Sequence, residues 1–284
     1  MIRSLLFVPA DSERKIAKAG EGEADALILD LEDSVAPDAK PAAREAVRAV
    51  RSGKRLFVRI NPLPLGMADD DLAAALACRP FGVVLPKANG GADVAELDAR
   101  LAVHEAEAGV EEGATRILAI ATETAAGTLA AASHAGASRR LWGLTWGAED
   151  LAADIGALAK RDGTGRYRDT FRFARVQALL GAVAAGTEPV DTVFPDFRDA
   201  GGFRRECEEA MLDGFTAKMA IHPAQVAVIN EAFTPGAEAV AAARAVVAAF
   251  EAAGDVGVVS LDGRMLDRPH LVNARKVLAR AGVD

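Results

Sequence analysis

Cysteine is scarce in this chain, and its scarcity excludes two classes of protein. Cys78 and Cys207 are the only cysteines among 284 residues, and they lie far apart. Two such residues form neither the disulfide framework of a small secreted domain nor a CxxC metal site. We therefore expect a cytoplasmic protein, because thiols stay reduced in that compartment.

Positive charge and long apolar runs are also in short supply. The formal net charge is −8, and no block of Lys and Arg occurs, which argues against a nucleic-acid partner. The apolar stretch near the N-terminus, Leu5–Val8, is stopped by Pro9. It is too short for the core of a signal peptide or for a membrane span. We expect no targeting segment and no membrane partner.

Two catalytic and binding motifs are missing. No GxGxxG follows the first apolar segment, which counts against an open sheet that binds a dinucleotide. No nucleophile elbow and no Ser-His-Asp or Cys-His spacing appears, so acyl transfer through a serine or cysteine nucleophile is not indicated.

The chain instead repeats one unit, an apolar strand followed by a helix, eight times before Thr234. Strands that are apolar throughout and alternate with helices are typical of a parallel sheet covered on both faces. Eight units predict a (β/α)8 TIM barrel, with a doubly wound open sheet as the alternative. The predicted strands are Leu5–Val8, Asp25–Leu29, Arg55–Asn61, Phe81–Leu85, Arg116–Ala121, Leu141–Trp146, Val190–Phe194 and Ala217–Ile221.

The last fifty residues do not fit a ninth unit. Pro235-Gly236 breaks the chain, and an alanine-rich helix, a strand with a turn, and a final helix follow it. We therefore predict a barrel domain over residues 1–234 and a helical and hairpin extension over 235–284. We expect the extension to pack on its own barrel or on a neighbouring subunit.

Charged residues follow nearly every predicted strand. In a TIM barrel the chemistry lies at the carboxyl ends of the strands, so these residues would share one mouth. A single charged loop residue is ordinary, but a charge at almost every end favours an active site. A lone histidine is more often structural than catalytic. The residues in question are Glu32 and Asp33, Arg59, Lys87, Glu123, Glu149 and Asp150, Asp196, and His222.

Glu123 and Asp150 follow neighbouring strands. Adjacent strands lie about 4.8 Å apart, so acids just past their ends can converge on one ion. A site with few carboxylates and open positions suits Mg2+. Either acid alone is equally well explained as a helix N-terminal residue that the helix dipole favours. As a pair on adjacent strands, they favour a metal site.

Arg59 ends a strand whose preceding residues are apolar. A buried arginine needs an anionic partner, which a substrate carboxylate or an enolate oxygen would supply. The alternative is a salt bridge to Glu32 or Asp33. These two acids would hold metal-bound waters, or would be ordinary loop or helix-capping residues.

Eight segments of the chain resemble the citrate lyase β-subunit family. This family is a branch of the HpcH/HpaI aldolase superfamily that also holds malyl-CoA and citramalyl-CoA lyases. The resemblance runs from Arg3 to about Arg275. The segments are RSLLFVPA (3–10), DALILDLEDSV (25–35), FVRIN (57–61), VVLPKA (83–88), ATETAAG (121–127), WGAEDLAADIG (146–156), AIHPAQV (220–226) and DGRMLDRP (262–269).

The resemblance implies a Mg2+-dependent carbon–carbon lyase. Its substrate would be a citryl, citramalyl or malyl thioester of CoA or acyl-carrier protein. The products would be an acetyl thioester and a 2-oxo acid such as oxaloacetate, pyruvate or glyoxylate. Glu123 and Asp150 match the metal ligands of the family, and Arg59 matches a substrate-binding arginine that stabilises the enolate.

Further residue roles follow from the same resemblance. Glu32 and Asp33 match an acidic loop near the metal, and we expect Lys87 to contact the substrate as well. Asp267 matches an acid–base aspartate that a neighbouring subunit contributes, which implies a homotrimer or hexamer. HpcH-type aldolases carry histidine where this chain has Asp33, and this departure favours a thioester substrate over a free 2-oxo acid.

Three other functions remain open at this point. The same scaffold could serve as a malyl-CoA thioesterase. The chain could be a subunit that is active only within a complex with an acyl-carrier protein and a transferase. It could also be a binding protein without activity.

Overall fold

The computed structural model describes residues 1–254 and 256–283. Its strands are β1 (Ser4–Pro9), β2 (Ala26–Asp30), β3 (Arg55–Arg59), β4 (Gly82–Leu85), β5 (Arg116–Ile120), β6 (Leu141–Thr145), β7 (Glu188–Asp191), β8 (Ala217–Ala220), β9 (Val258–Leu261) and β10 (Arg264–Asp267). Its helices are α1 (Glu13–Glu21), α2 (Lys40–Ala49), α3 (Ala68–Ala77), α4 (Gly91–Ala108), α5 (Ala125–Leu129), α6 (Ala148–Asp154), α7 (Asp169–Ala184), α8 (Ala200–Asp213), α9 (Pro223–Ala232), α10 (Ala237–Ala253) and α11 (Arg268–Ala281). Short 3-10 helices cover Pro37–Ala39, Leu63–Leu65 and Ala131–His134.

Strands β1 to β8 form a closed parallel barrel in sequence order, and β1 pairs with both β2 and β8. The predicted (β/α)8 TIM barrel is therefore confirmed. Each strand is almost entirely buried because its two faces meet the barrel interior and the surrounding helices. This double burial explains why the strands are apolar runs rather than alternating patterns.

Side chains from alternate positions fill the barrel interior. Leu5, Ile28, Phe57, Leu118 and Met219 belong to this buried core. Successive side chains of a strand point to opposite faces, so the residue two positions after an interior residue also points inward. Near the carboxyl end this alternation brings charged residues into the barrel, among them the last residues of β2 and β3.

Two predicted elements differ from those observed. Strand β7 ends at Asp191 rather than at Phe194, so Asp196 does not directly follow a strand. The helix predicted after Glu123 is only five residues long and continues as the 3-10 helix Ala131–His134. Its glycine and small polar residues are weak helix formers, and this favours a short element.

The chain forms two compact units, Ile2–Asn230 and Glu231–Asp284, with Met1 grouped with the second. Within the second unit, α10 and α11 pack through Val240, Ala243, Val247, Ala274 and Leu278. Strands β9 and β10 form an antiparallel hairpin.

The hairpin turn is made by Asp262 and Gly263, which both have positive φ. Asp-Gly favours this type of two-residue turn, so the strand and turn expected from the sequence are present.

Cys78 and Cys207 are buried and unpaired, as the sequence suggests. One stretch, Pro223–Ala253, is long and apolar enough by length and composition to cross a membrane. It consists of two helices, α9 and α10, separated by an interruption at 233–236. This is weak support for a membrane span.

Candidate active site

A pocket of about 410 Å³ lies at the carboxyl ends of the barrel strands. Charged residues contributed by several strand ends share this pocket with apolar ones. The charged lining residues are Asp30, Asp33, Arg59, Glu123, Glu149 and Asp150. The apolar lining includes Phe7, Ile120, Trp146, Val193, Met219 and Ile221. Glu32 and Lys87 contact charged residues of this lining.

Glu123 is a buried carboxylate just beyond β5. Its Oε2 accepts a hydrogen bond of 2.7 Å from the backbone N–H of Lys87. Gly147 lies directly against its carboxyl group: a Cβ at that position would come within 2.7 Å of Glu123 Oε1. Only glycine leaves room for the carboxylate here, which explains the glycine between the end of β6 and α6.

Asp150 lies in the first turn of α6 and is partly exposed. Its Oδ1 is 3.1 Å from the ammonium Nζ of Lys87. Lys87 thus touches both predicted metal ligands, one through its backbone and the other through its side chain. Lys87 has a φ of 52°, a left-handed conformation that is strained for a residue with a side chain. Strain of this kind is common where a backbone is held for function.

The carboxyl group of Glu123 is in an environment that is short of positive charge. Burial, together with the negative charge of Asp150, raises the pKa of Glu123 to about 8. A divalent cation beside the two acids would offset this cost, so the residues fit a metal ion. Within residues 1–254 and 256–283, no group of three or more His, Cys, Asp and Glu side chains is arranged to hold a metal. Mg2+ does not need one, because it is often bound by one or two carboxylates with waters and substrate oxygens.

Arg59 is held by Asp30, an acid outside the partners expected for it from the sequence. Its Nε and Nη2 donate hydrogen bonds to the two oxygens of Asp30, each at 2.7 Å. Asp30 and Arg59 are register partners on β2 and β3, and both side chains point into the barrel. Asp30 lies between the predicted strand Asp25–Leu29 and the acidic loop, so its position in the sequence gives no sign that it faces Arg59.

Arg59 also lies near the acidic loop, in line with the alternative that it forms a salt bridge to Glu32 or Asp33. Its Nη1 is 2.8 Å from Glu32 Oε2 and 3.9 Å from Asp33 Oδ2. The Glu32 oxygen is buried and receives no hydrogen bond of good geometry, so the contact is an ion pair at close distance. Glu32 Oε1 lies 2.5 Å from Lys87 Nζ. Asp33 is more exposed and farther from both cations.

The two buried acids of this group differ in pKa for a clear reason. Burial would raise the pKa of Asp30, but the hydrogen bonds and charge of Arg59 hold it below its usual value. For Glu32 burial is the larger effect, and its pKa is raised although Arg59 and Lys87 oppose the change. Arg59 is therefore committed mainly to Asp30.

The buried Lys40 holds the acidic loop in place through hydrogen bonds. Lys40 Nζ donates to the carbonyl oxygens of Leu31 and Glu32 at 2.8 and 2.9 Å, and to Asn61 Oδ1 at 2.7 Å. Asn61 in turn donates to Asp71. All three ammonium protons have acceptors, which makes this buried charge acceptable.

A second buried network supports the opposite wall of the pocket. Trp146 Nε1 donates to Asp191 Oδ1 at 2.7 Å, and Asp191 Oδ2 pairs with the fully buried Lys218 at 2.6 Å. The Trp146 ring packs edge-on against Tyr167, with ring centroids 5.0 Å apart. Lys218 follows an interior residue and therefore points outward, between the barrel and its helices.

Three of the charged residues singled out in the sequence lie away from this pocket or in the other unit. Asp196 lines an adjoining cavity of about 650 Å³, which shares Glu149 and Tyr167 with the pocket, and the imidazole of His222 stacks on Phe197 at 4.8 Å. Asp267 belongs to the second unit and caps the N-terminus of α11, where its carboxylate contacts His270. Lys87, Glu32, Asp33, Arg59, Glu123 and Asp150, by contrast, form one continuous group of contacts and pocket-lining residues.

Comparison with known protein families shows the family to which the chain belongs. The model of the family described as HpcH/HpaI aldolase/citrate lyase matches residues 3–223, which is most of the chain. The chain belongs to the HpcH/HpaI aldolase/citrate lyase family. A second model, described as a C–C bond lyase of the TIM-barrel fold, matches residues 168–284. The protein is accordingly a carbon–carbon lyase.

Two curated relatives cover nearly the whole chain. The citrate lyase subunit beta-like protein of Mycobacterium tuberculosis is 39% identical over 280 residues, which are 98% of this chain and 94% of the relative. The (3S)-malyl-CoA thioesterase of Cereibacter sphaeroides is 36% identical over 286 residues, with 98% and 94% covered.

Two solved structures of M. tuberculosis proteins closely resemble the structure of this chain. CitE in complex with magnesium, acetoacetate and coenzyme A has a TM-score of 0.82 and 37% identity, and covers 99% of this chain and 98% of its own. The citrate lyase beta subunit complexed with oxaloacetate and magnesium has a TM-score of 0.72 and 37% identity, with 82% and 96% covered.

Proposed function

We propose that this protein is a Mg2+-dependent lyase that cleaves a malyl-, citramalyl- or citryl-type thioester of CoA into an acetyl thioester and a 2-oxo acid. One observation carries the proposal. The carboxylates that follow β5 and β6, Glu123 and Asp150, both contact Lys87 and line the same pocket as Arg59. The complex of the M. tuberculosis relative with magnesium and coenzyme A supports the cofactor and the carrier.

Glu123 and Asp150 would hold the metal, since they supply oxygen ligands and lack sufficient positive charge around them. When bound there, Mg2+ supplies a Lewis acid that polarises the substrate oxygen destined to become the keto group. Lys87 would keep Glu123 in place through its backbone N–H. Its ammonium would balance the charges of Glu32 and Asp150.

Arg59 would stabilise negative charge on the substrate. In the cleavage, the hydroxyl group loses its proton and the bond between its carbon and the α-carbon of the thioester breaks. The electron pair remains on the acetyl thioester as an enolate, which is then protonated on carbon. Asp30 fixes the guanidinium of Arg59 through two hydrogen bonds, so the positive group is oriented before the charge develops.

Asp267 is the proposed acid–base residue: its carboxylate would take the hydroxyl proton and then deliver a proton to the enolate carbon, and this role rests on the resemblance of the MLDRP segment. We further propose that a neighbouring subunit supplies this residue, and hence that the protein is a homo-oligomer. Its carboxylate is half-exposed, which keeps it accessible.

The test uses the purified chain alone, with Mg2+ and with citryl-, citramalyl- and malyl-CoA in turn. We expect a 2-oxo acid and acetyl-CoA to form together, and EDTA to stop the reaction. A subunit that works only on acyl-carrier protein within a larger complex would leave all three CoA thioesters intact.

A thioesterase is the second candidate, because a relative named (3S)-malyl-CoA thioesterase is 36% identical over nearly the whole chain. The same assay separates the two reactions. A thioesterase releases free CoA and malate, whereas a lyase releases acetyl-CoA and a 2-oxo acid. Free thiol detected without any 2-oxo acid would replace the lyase proposal with hydrolysis.

A further inference from the structure

The outward face of helix α7 is apolar. Phe173, Val176, Leu180 and Val183 are between 44% and 57% exposed. Residues three and four positions apart are neighbours on a helix surface, so the four side chains form one stripe along α7. At a rise of 1.5 Å per residue this α7 stripe is about 15 Å long.

The opposite face of α7 is apolar as well. Its buried residues, which pack towards the barrel, are Phe171, Ala174, Ala178, Gly181 and Ala182. A surface helix of a globular protein ordinarily carries polar residues on its outward face, whereas a helix that is apolar all round is buried. Helix α7 therefore has the composition of a helix that is covered on both sides.

Charged side chains are kept away from the α7 stripe. Arg175 is the one charged residue between Phe173 and Thr187 in the sequence. Its side chain is mostly buried, and its guanidinium lies 3.4 Å from Asp191 and 2.5 Å from Asp213. A continuous exposed apolar surface of this kind marks a site of contact with another protein.

The α7 stripe is complementary to a second copy of itself. Phe173 and Val183 lie equally far from Ala178 along the chain, and so do Val176 and Leu180. Two α7 helices that pack antiparallel about a two-fold axis at Ala178 therefore place Phe173 of one protomer against Val183 of the other. The same axis places Val176 against Leu180, so each side chain of the stripe meets an apolar one.

The charges at the two ends of the stripe are complementary in the same arrangement. At the N-terminal end of α7 the exposed Arg168 and Arg172 outnumber Asp169, and the exposed Glu188 follows its C-terminal end. Arg168 and Glu188 also lie equally far from Ala178. Antiparallel packing brings the basic end of one stripe to the acidic end of the other, whereas parallel packing would bring like charges together.

We infer that α7 forms an antiparallel two-fold interface with α7 of a second copy of this chain. A two-fold contact occurs in dimers and in hexamers of dihedral symmetry, but not in a cyclic trimer. Of the two assemblies that the family resemblance implies, the α7 interface therefore selects the hexamer. The interface does not rest on the proposed lyase function, since no residue of the α7 stripe is among the described residues that line the pocket.

Sedimentation velocity of the full chain measures the interface through the mass of the assembly. Leu180→Glu places a charge within the stripe on both sides of the contact, and we expect the mass to fall to half that of the wild type. Val103→Glu is the matched control, because Val103 lies on α4 and is 57% exposed, as Leu180 is. We expect the control to keep the wild-type mass. A wild type with an odd number of protomers, or equal masses for the two variants, would overturn the inference.

Disulfide cross-linking tests the antiparallel register without adding charge to the contact. A reassembled mixture of Phe173→Cys and Val183→Cys chains should form an oxidised dimer, whereas either variant alone should not. In the antiparallel arrangement the two copies of Phe173 lie about 15 Å apart along the helix axis, beyond the limit of about 7 Å between the Cα atoms of a disulfide. Cys78 and Cys207 are buried and do not compete. Cross-linking of Phe173→Cys with itself, or no cross-link in the mixture, would overturn the antiparallel interface.

Discussion

The backbone N–H of Lys87 donates a 2.7 Å hydrogen bond to Glu123, while the side chain of Lys87 reaches Asp150. One residue therefore links the acids that follow two neighbouring strands. The left-handed φ of Lys87 sets the direction of its side chain relative to this N–H, and the side chain also reaches Glu32 of the acidic loop. The contacts with acids indicate that the ammonium compensates charge in the pocket.

Removing the ammonium group of Lys87 should lower both the stability of the metal-free protein and its activity. Lys87→Met keeps the backbone N–H but leaves Glu32 and Asp150 without a close lysine, and an unpaired buried acid costs about 1–3 kcal/mol. We expect a lower melting temperature in EDTA, partial recovery with Mg2+, and a loss of kcat/KM. Lys18→Met changes an exposed lysine on α1 and is the control. Equal behaviour of the two variants would remove Lys87 from the site.

Glu123 should make the metal-free protein less stable as pH rises. Its pKa is about 8 in the folded protein, whereas the usual value for a glutamate is 4.5. The folded state therefore binds the proton more tightly than the unfolded state does. Stability is then lost between these two pKa values as pH increases, by about 1.4 kcal/mol for each pH unit. Glu123→Gln removes this titration.

Urea unfolding in EDTA from pH 5 to pH 8 measures the effect. We expect the free energy of unfolding of the wild type to fall relative to Glu123→Gln over this range, and Mg2+ to oppose the fall in the wild type alone. If the free energies of unfolding of the two proteins change in parallel with pH, the pKa of Glu123 is not raised in the folded protein.

The sequence was sufficient to predict the barrel and the acids beyond β5 and β6. Both features depend on local patterns: the alternation of apolar strands with helices, and a carboxylate directly after a strand. The partner of Arg59 could not be chosen in this way. Asp30, Glu32 and Asp33 are close in sequence, and only the pairing register of β2 with β3 places Asp30 opposite Arg59.

The supporting residues were beyond prediction for a related reason. Lys40 precedes a predicted helix and looks like a surface lysine, yet it is buried under the acidic loop. Asp191 and Lys218 both lie within the predicted strands Val190–Phe194 and Ala217–Ile221, but the pattern of one strand does not show which charged residue of its neighbour it pairs with. In each case the decisive contact joins elements that are distant in sequence.

The guanidinium geometry of Arg59 should matter more than its charge. Arg59→Lys keeps a positive charge but cannot form both hydrogen bonds to Asp30. We expect a loss of about 100-fold or more in kcat, the magnitude seen when an oxyanion donor is removed. Asp30→Asn keeps the shape of the side chain but weakens its pair with Arg59, and it should lower kcat as well. Full activity of Arg59→Lys would mean that the arginine serves only as a structural ion pair.

Lys40 should affect the metal site through the loop that it supports. Lys40→Met removes the donors to the carbonyl groups of Leu31 and Glu32 and should weaken Mg2+ binding in calorimetry as well as lower stability. Lys54→Met is a matched control, because Lys54 also donates to a backbone carbonyl, that of Ala24, which precedes β2. We expect the control to keep its Mg2+ affinity. If both variants bind Mg2+ as the wild type does, Lys40 is only a stabilising residue.

The last prediction concerns Asp267, which has a structural role as the N-cap of α11. Asp267→Asn preserves this cap, since asparagine caps helices as well as aspartate does, but removes the acid. If a neighbouring subunit supplies Asp267, then Asp267→Asn and Glu123→Gln should each be inactive alone and should recover activity when reassembled together. In a random mixture about one quarter of the sites would combine an intact Glu123 from one subunit with an intact Asp267 from another. Mixed oligomers that form without recovering activity would place Asp267 in the site of its own chain or outside the chemistry.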